Sequence, residues 1–121
     1  ISSLFLLNYM NYYEHTLIAR QDTSSAQIKQ LQEKYTNIIE SNEGNILKTE
    51  NWGLLNLSYL IKKNKKGNYL HFKIKGLGKT IKELERSEKL DKNLLRYLTI
   101  KVKKIDLETD YFKKNEETIN K

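Results

Sequence analysis

The chain has 121 residues, enough for one domain with one real core. Its 22 basic residues against 15 acidic ones give a net charge of +7, which favours a polyanionic partner, either nucleic acid or an anionic membrane surface. It has no cysteine, which excludes disulfides, thiolate catalysis and cysteine metal sites and fits a reducing compartment.

The opening run "ISSLFLLNYM" is apolar but too short to span a bilayer, and it lacks the basic flank and cleavage site of a secretory signal. Met10, followed by "NYYEHTLIAR", has the look of a natural start. Residues 1–10 are therefore read as an N-terminal extension, 11–105 as the folded domain, and 106–121 as a polar, poorly ordered tail.

In chain order, "YYEHTLIAR" (12–20) is rich in aromatic and β-branched residues and predicts a first strand. Ser24 with Gln27 three residues on has the spacing of a capping box. The helix it opens spaces Ile28, Leu31, Tyr35, Ile38 and Ile39 by threes and fours along one face. "SNEGN" stops it, with Gly44 as the expected left-handed residue. A long strand over 46–61 places Leu55, Leu57, Tyr59 and Ile61 on one face. A return strand over 68–75 alternates Leu70, Phe72 and Ile74 with Tyr69, His71, Lys73 and Lys75. "GLGK" (76–79) opens a second helix with Ile81 and Leu84 inward, ending near Lys89. A last strand over 94–104 is expected to turn Leu98, Ile100 and Val102 inward, so that Leu98→Asp would place a charge in the core. The order β-α-β-β-α-β is the ferredoxin-like split βαβ pattern, an α+β fold with a four-stranded antiparallel sheet and both helices on one face. The other face is left open for function.

Little in the chain points to catalysis. His15 and His71 are the only histidines, and neither has a second histidine or a cysteine at ligand spacing, so no metal site, cofactor or small-molecule substrate is expected. Glu83 with Glu85, and Glu116 with Glu117, read as solvated charge. "GLGK" is far short of a phosphate-binding loop.

The strongest signal is charge placement. Lys62, Lys63, Lys65 and Lys66 crowd the hinge before Gly67, and no acid occurs from Asn51 to Lys82. Such a block can track a phosphate backbone with salt-dependent affinity, or simply keep a turn solvated and block edge aggregation. Lys73, Lys75, Arg96, Lys101, Lys103 and Lys104 extend the charge along the strands, and Tyr59, Tyr69 and Tyr97 are interleaved where they can stack on bases. Trp52, next to Gly53, is either a core anchor or a contact for another chain, with the glycine marking a bulge or a close approach.

Tyr13-Glu14, then Glu50, Trp52, Gly53, Leu57, Tyr59, Ile61 and Lys63, then Gly67 and Tyr69, then Asp91, Leu94, Leu95 and Arg96 together resemble the bacterial small-subunit ribosomal protein six family in order and spacing. The resemblance spans about residues 12 to 104. It implies a non-enzymatic ferredoxin-like protein of the small ribosomal subunit. Such a protein binds the central domain of small-subunit ribosomal RNA together with ribosomal protein eighteen, in a bacterial cytoplasm or an organelle. By position it makes Tyr13, Tyr59, Lys63 and Arg96 RNA-contact candidates, joined on charge and placement by Lys62, Lys65, Lys66, Tyr69, Lys101 and Lys103. It puts Trp52, Gly53 and Leu55 where the second strand meets the partner or RNA. The chain departs from the pattern at Leu54 and Leu55, where the family usually has arginine, and at Leu60 and His15. The lysine block offers a replacement for the missing guanidinium. A different class of reading on the same fold is a small regulatory or ligand-binding domain that dimerises through its sheet. An acylphosphatase-like enzyme using Arg20 lacks the glycine-rich cradle it would need.

Overall fold

The computed structural model describes residues 10–108; the N-terminal extension and most of the polar tail lie outside the described residues. The elements are β1 (Asn11–Arg20), α1 (Ser25–Ser41), β2 (Asn45–Ile61), β3 (Asn64–Gly76), α2 (Gly78–Lys89) and β4 (Leu94–Val102). One antiparallel sheet carries the strands in the order β2-β3-β1-β4, the ferredoxin-like arrangement.

The central pair sets the faces. In β1 and β3, Tyr13 faces Ile74, His15 faces Phe72 and Leu17 faces Leu70, and all six are buried on the helix side. The helices press Ile28, Leu31, Tyr35, Ile39, Ile81 and Leu84 onto them, with Ile38 partly buried alongside. The periods of two and 3.6 therefore read the core correctly along β3 and both helices.

Local chemistry fixes the element ends. The Gln27 N–H donates to Ser24 Oγ (3.2 Å) and the Ser24 N–H donates to Gln27 Oε1 (2.9 Å), so the capping box forms as expected. At the other end of α1 the left-handed residue is Glu43, with φ 65°, rather than Gly44. Gly44 is required for space instead, because a Cβ there would lie 2.6 Å from Thr80 Cγ2 and 2.9 Å from the Ile39 carbonyl. Thr80 joins the two helices by donating its hydroxyl to the Asn42 carbonyl (2.6 Å).

β4 departs from the expected alternation. Its register slips between Ile18 and Ala19, which pair with Arg96 and Leu94 and leave Leu95 as an extra residue. Leu94 and Leu95 are both buried, and every later side chain changes face. Leu98 and Ile100 are more than half exposed on the open side, while Tyr97 packs on the core and Thr99 reaches His15. The expected inward set of Leu98, Ile100 and Val102 is therefore reversed by one bulged residue.

Two polar networks pin the helices to their surroundings. His15 and Glu88 side chains are fully buried and meet at 2.6 Å (Nε2–Oε2), with His15 Nδ1 2.5 Å from Thr99 Oγ1. Burial raises the Glu88 pKa against the opposing pull of His15. Between α1 and the α2–β4 loop, the Tyr35 hydroxyl donates to Asp91 at 2.5 Å and Lys34 adds a contact at 3.1 Å. Burial, reinforced by the carboxylate beside it, pushes the Tyr35 hydroxyl far above the ordinary phenol range. Burial also works against the Asp91 carboxylate, but hydrogen bonds from Tyr35, Asn93 and Lys34 outweigh it and hold its pKa low.

The bulge makes opposite predictions for two residues. Leu98→Asp is expected to change stability by no more than about 0.5 kcal/mol, as at a surface position. Phe72→Ala should cost about 3–5 kcal/mol as a buried aromatic truncation. Urea melts of both variants check this, and a collapse of the Leu98 variant would restore the inward register.

Candidate nucleic-acid interface

The open face is built from Tyr12, Glu14, Thr16 and Ile18 of β1, Tyr69, His71, Lys73 and Lys75 of β3, and Arg96, Leu98 and Ile100 of β4, as the pairing register requires. β2 adds Lys48, Glu50 and Leu55, which pair with Lys73, His71 and Gly67. This face divides into three zones along the strands.

At one end the β2–β3 hairpin curls over the sheet. Ile61 pairs with Asn64, so Lys62 and Lys63 alone make the turn, with φ 47° and 68°. Two positive φ values describe the primed turn that favours Asn-Gly, and a lysine in that region costs about 1–2 kcal/mol. Clamps offset the strain. Buried Asn64 donates its side-chain N–H to the carbonyls of Ile61 (3.3 Å) and Lys62 (3.0 Å) and accepts from the Gln21 N–H (3.0 Å). Gln21 Oε1 in turn accepts from the Lys65 and Lys66 N–H groups, both at 3.3 Å. These bonds start β3 at Asn64, four residues before the expected Asn68. They fix Lys62 and Lys63 in the turn and Lys65 and Lys66 at the head of a strand, with all four side chains exposed.

Opposite them, the register passes from Asn56↔Lys66 to Ile61↔Asn64, so Leu57, Ser58, Tyr59 and Leu60 bow out against Lys65 alone. The bowed segment closes a depression of about 100 Å³ lined by Ile18, Leu57, Tyr59, Ile61, Tyr69 and Arg96. The Arg96 guanidinium carbon lies 5.9 Å from the centre of the Tyr59 ring, a cation–π arrangement that leaves both groups exposed. Tyr59, Tyr69, Arg96 and the lysine block, separate in sequence, thus share one end of the face.

The middle zone is aromatic and acidic. Gly53 has φ 78° with open space around its Cα, and the register slips between Asn51 and Gly53, so Trp52 sits on a bulge. The Gly53 N–H donates to Asn51 Oδ1 (2.9 Å) to hold that bend. The bulge lays Trp52 flat on His71, at 4.8 Å and 13°, and beside Tyr69 at 6.2 Å and 21°. Trp52 is therefore an open-face side chain and not a core anchor; Leu55 shares its face. His71 Nδ1 lies 2.7 Å from Thr16 Oγ1 and its Nε2 lies 3.4 Å from Glu14. Burial lowers the His71 pKa, against the opposing pull of Glu14.

At the far end are Lys48, Lys73 and Lys75. On the opposite edge strand Lys101 pairs with core-facing Tyr13 and so falls on the helix side of the sheet, not on the open face where it was expected. Lys103 lies just beyond the end of β4. Lys73 is buried and donates to the Asp106 carbonyl, and Lys48 donates to the Leu107 carbonyl at 3.4 Å. Residues 106–108, expected to be part of a loose tail, lie against the sheet here.

Two expected RNA-facing rings move inside. Tyr13 belongs to the core cluster and Tyr97 packs against it, so neither ring is presented to a base. Gln21 and Asn64 carry no sequence signal, because their role is only to bond backbone groups that the turn leaves unpaired. Among the described residues there is no cluster of three or more His, Asp or Glu side chains placed to hold a metal, and no helix long and apolar enough to cross a membrane.

Comparisons with known proteins bear on this geometry. The family described as Ribosomal protein S6 matches residues 12–101. A small ribosomal subunit protein bS6 from Pelagibacter ubique is 68% identical over 108 residues, covering 89% of each chain. The bS6 protein of Caulobacter vibrioides is 46% identical over 99 residues, which is 82% of this chain and 79% of that one. Among solved structures, a 30S ribosomal protein S6 from Thermotoga maritima superposes with a TM-score of 0.73 at 24% identity, covering 93% of this chain and 99% of that one, and so shares the fold.

The Trp52–His71 stack gives a direct readout. A histidine with a lowered native pKa binds fewer protons folded than unfolded, so its contribution to stability is complete above about pH 6.5 and falls as the pH drops below it. The fluorescence of Trp52, the single tryptophan, should titrate with a midpoint below that value and lose the transition in His71→Gln. A midpoint at or above 6.5, or one that survives the substitution, would contradict the stacked, desolvated imidazole.

Proposed function

The chain belongs to the ribosomal protein S6 family, and from that premise we propose that it binds the central domain of small-subunit ribosomal RNA together with ribosomal protein eighteen, as a non-enzymatic structural component of a bacterial small ribosomal subunit. The observation that carries the reading is the clamped hairpin end, where exposed Lys62, Lys63, Lys65 and Lys66 flank the Tyr59–Arg96 pair and the Tyr69 depression.

That arrangement suits folded RNA. The lysines neutralise phosphates as point charges and release counterions, while Tyr59, Tyr69 and the Arg96 plane offer stacking surfaces to an unpaired base. Lys101 and Lys103 are exposed at the β4 edge, where they add to the positive field without lying in the open-face path. The protein partner is assigned to the aromatic middle of the same face and the exposed edge of β2, where Trp52, Gly53 and Leu55 lie beside exposed Leu54. Leu54 and Leu55, in place of the arginines common in the family, favour apolar contact there and leave phosphate binding to the hairpin.

Binding to a central-domain RNA fragment is expected to weaken steeply with salt. Replacing the four hairpin lysines with alanine should flatten the slope of log K against log salt by up to about 0.7–0.9 for each phosphate that is no longer neutralised, with little change in melting temperature. A salt-independent affinity, or a slope unchanged by the substitutions, counts against the proposal.

A further inference from the structure

The far end of the open face is occupied by the protein's own chain. β4 ends at Val102 on one edge of the sheet, yet five residues later the Leu107 carbonyl receives the Lys48 ammonium on β2, the opposite edge. Five residues can reach across the sheet, and the long Lys48 side chain spans part of the distance, so residues 103–107 form a strap. It passes over the open face, because Lys73, which bonds the Asp106 carbonyl, alternates with core-facing Phe72 and Ile74. Past the crossing, the Glu108 N–H donates to Asp106 Oδ1 at 2.9 Å and turns the chain.

The chemistry under the strap is that of an anion site. Lys48 and Lys73 pair across β2 and β3, and Lys75 lies one step along the same face with its ammonium 5.6 Å from the Tyr12 ring centre. Lys73 is only 5% exposed, and an ammonium removed from water needs oxygen ligands. The strap supplies them as the backbone carbonyls of Asp106 and Leu107. Carbonyls attract an ammonium less strongly than a phosphate does, since charge-assisted bonds between ions are the stronger class.

We infer that Lys48, Lys73 and Lys75 form a second phosphate-binding pole, and that the strap of residues 103–108 is an internal competitor which RNA must displace to reach it. The inference rests on the RNA-binding reading of the hairpin end. An RNA that engages only the hairpin gains nothing from the far pole, while an RNA long enough to span both ends gains further phosphate bonds once the strap lifts.

The test loosens the strap in the full-length chain with the triple substitution Ile105→Gly, Asp106→Gly and Leu107→Gly, which raises the entropy lost on docking. Acetylation with a water-soluble amine reagent, read by mass spectrometry, reports lysine access without RNA. A central-domain RNA fragment probes binding. The expected result is severalfold faster modification of Lys48 and Lys73, together with RNA affinity raised roughly threefold or more and a salt slope steeper by about 1–2. Faster modification with unchanged RNA affinity would overturn the competition, and unchanged modification would overturn the strap itself. Failure of both proteins to bind the RNA at any salt would remove the RNA reading and this inference with it, an outcome distinct from the other two.

Discussion

The register of β1 against β3 is the constraint on which the rest of the molecule depends. With Leu17 opposite Leu70 and His15 opposite Phe72, one face of the central pair is buried under both helices. A slip of one residue would send Thr16, His71 and Lys73 into the core and expose Leu17 and Phe72, exchanging the faces of the whole sheet. Because the helices take one face entirely, every interaction surface the sheet can offer lies on the other. The hairpin curls over one end of that surface and the strap crosses the other.

Charge on this face is arranged and not merely abundant. Basic groups gather at the two ends, and the middle holds Trp52, Tyr69 and His71 with the carboxylates of Glu14 and Glu50. The turn shows the cost of that arrangement. An Asn-Gly pair would suit two positive φ values better than Lys62-Lys63, yet the chain keeps lysines there and adds the Asn64 and Gln21 clamps. Strain retained at an exposed, charged tip and offset by side-chain hydrogen bonds is what motivates the functional reading proposed for the hairpin.

Most of the architecture is legible in the sequence because it rests on periodicity and local chemistry. The β-rich composition of β1, the alternation in β3, the three-four spacing in α1 and the Ser24–Gln27 box each state their structure within a few residues. What escapes depends on residues distant in sequence. The flip of Leu98 and Ile100 follows from a bulge opposite Ile18 and Ala19, and alternation within β4 alone cannot reveal a residue added relative to its partner. Tyr13 and Tyr97 have the composition of stacking platforms, but a tyrosine's face depends on register. Lys73 reads as an open-face cation until residues beyond β4 return over it. The family pattern contains Asp91 without its task, which is to accept the Tyr35 hydroxyl and tie α1 to the start of β4.

The central claim is that the sheet's open face and its hairpin, and not the helices, receive RNA. A lysine-modification footprint on the complex with central-domain RNA tests it most directly. Lys62, Lys63, Lys65 and Lys66 should be strongly protected by the RNA, while Lys29 of α1 and Lys82 and Lys89 of α2 modify at the rate of the free protein. Protection of the helix lysines with the hairpin left reactive would contradict the account.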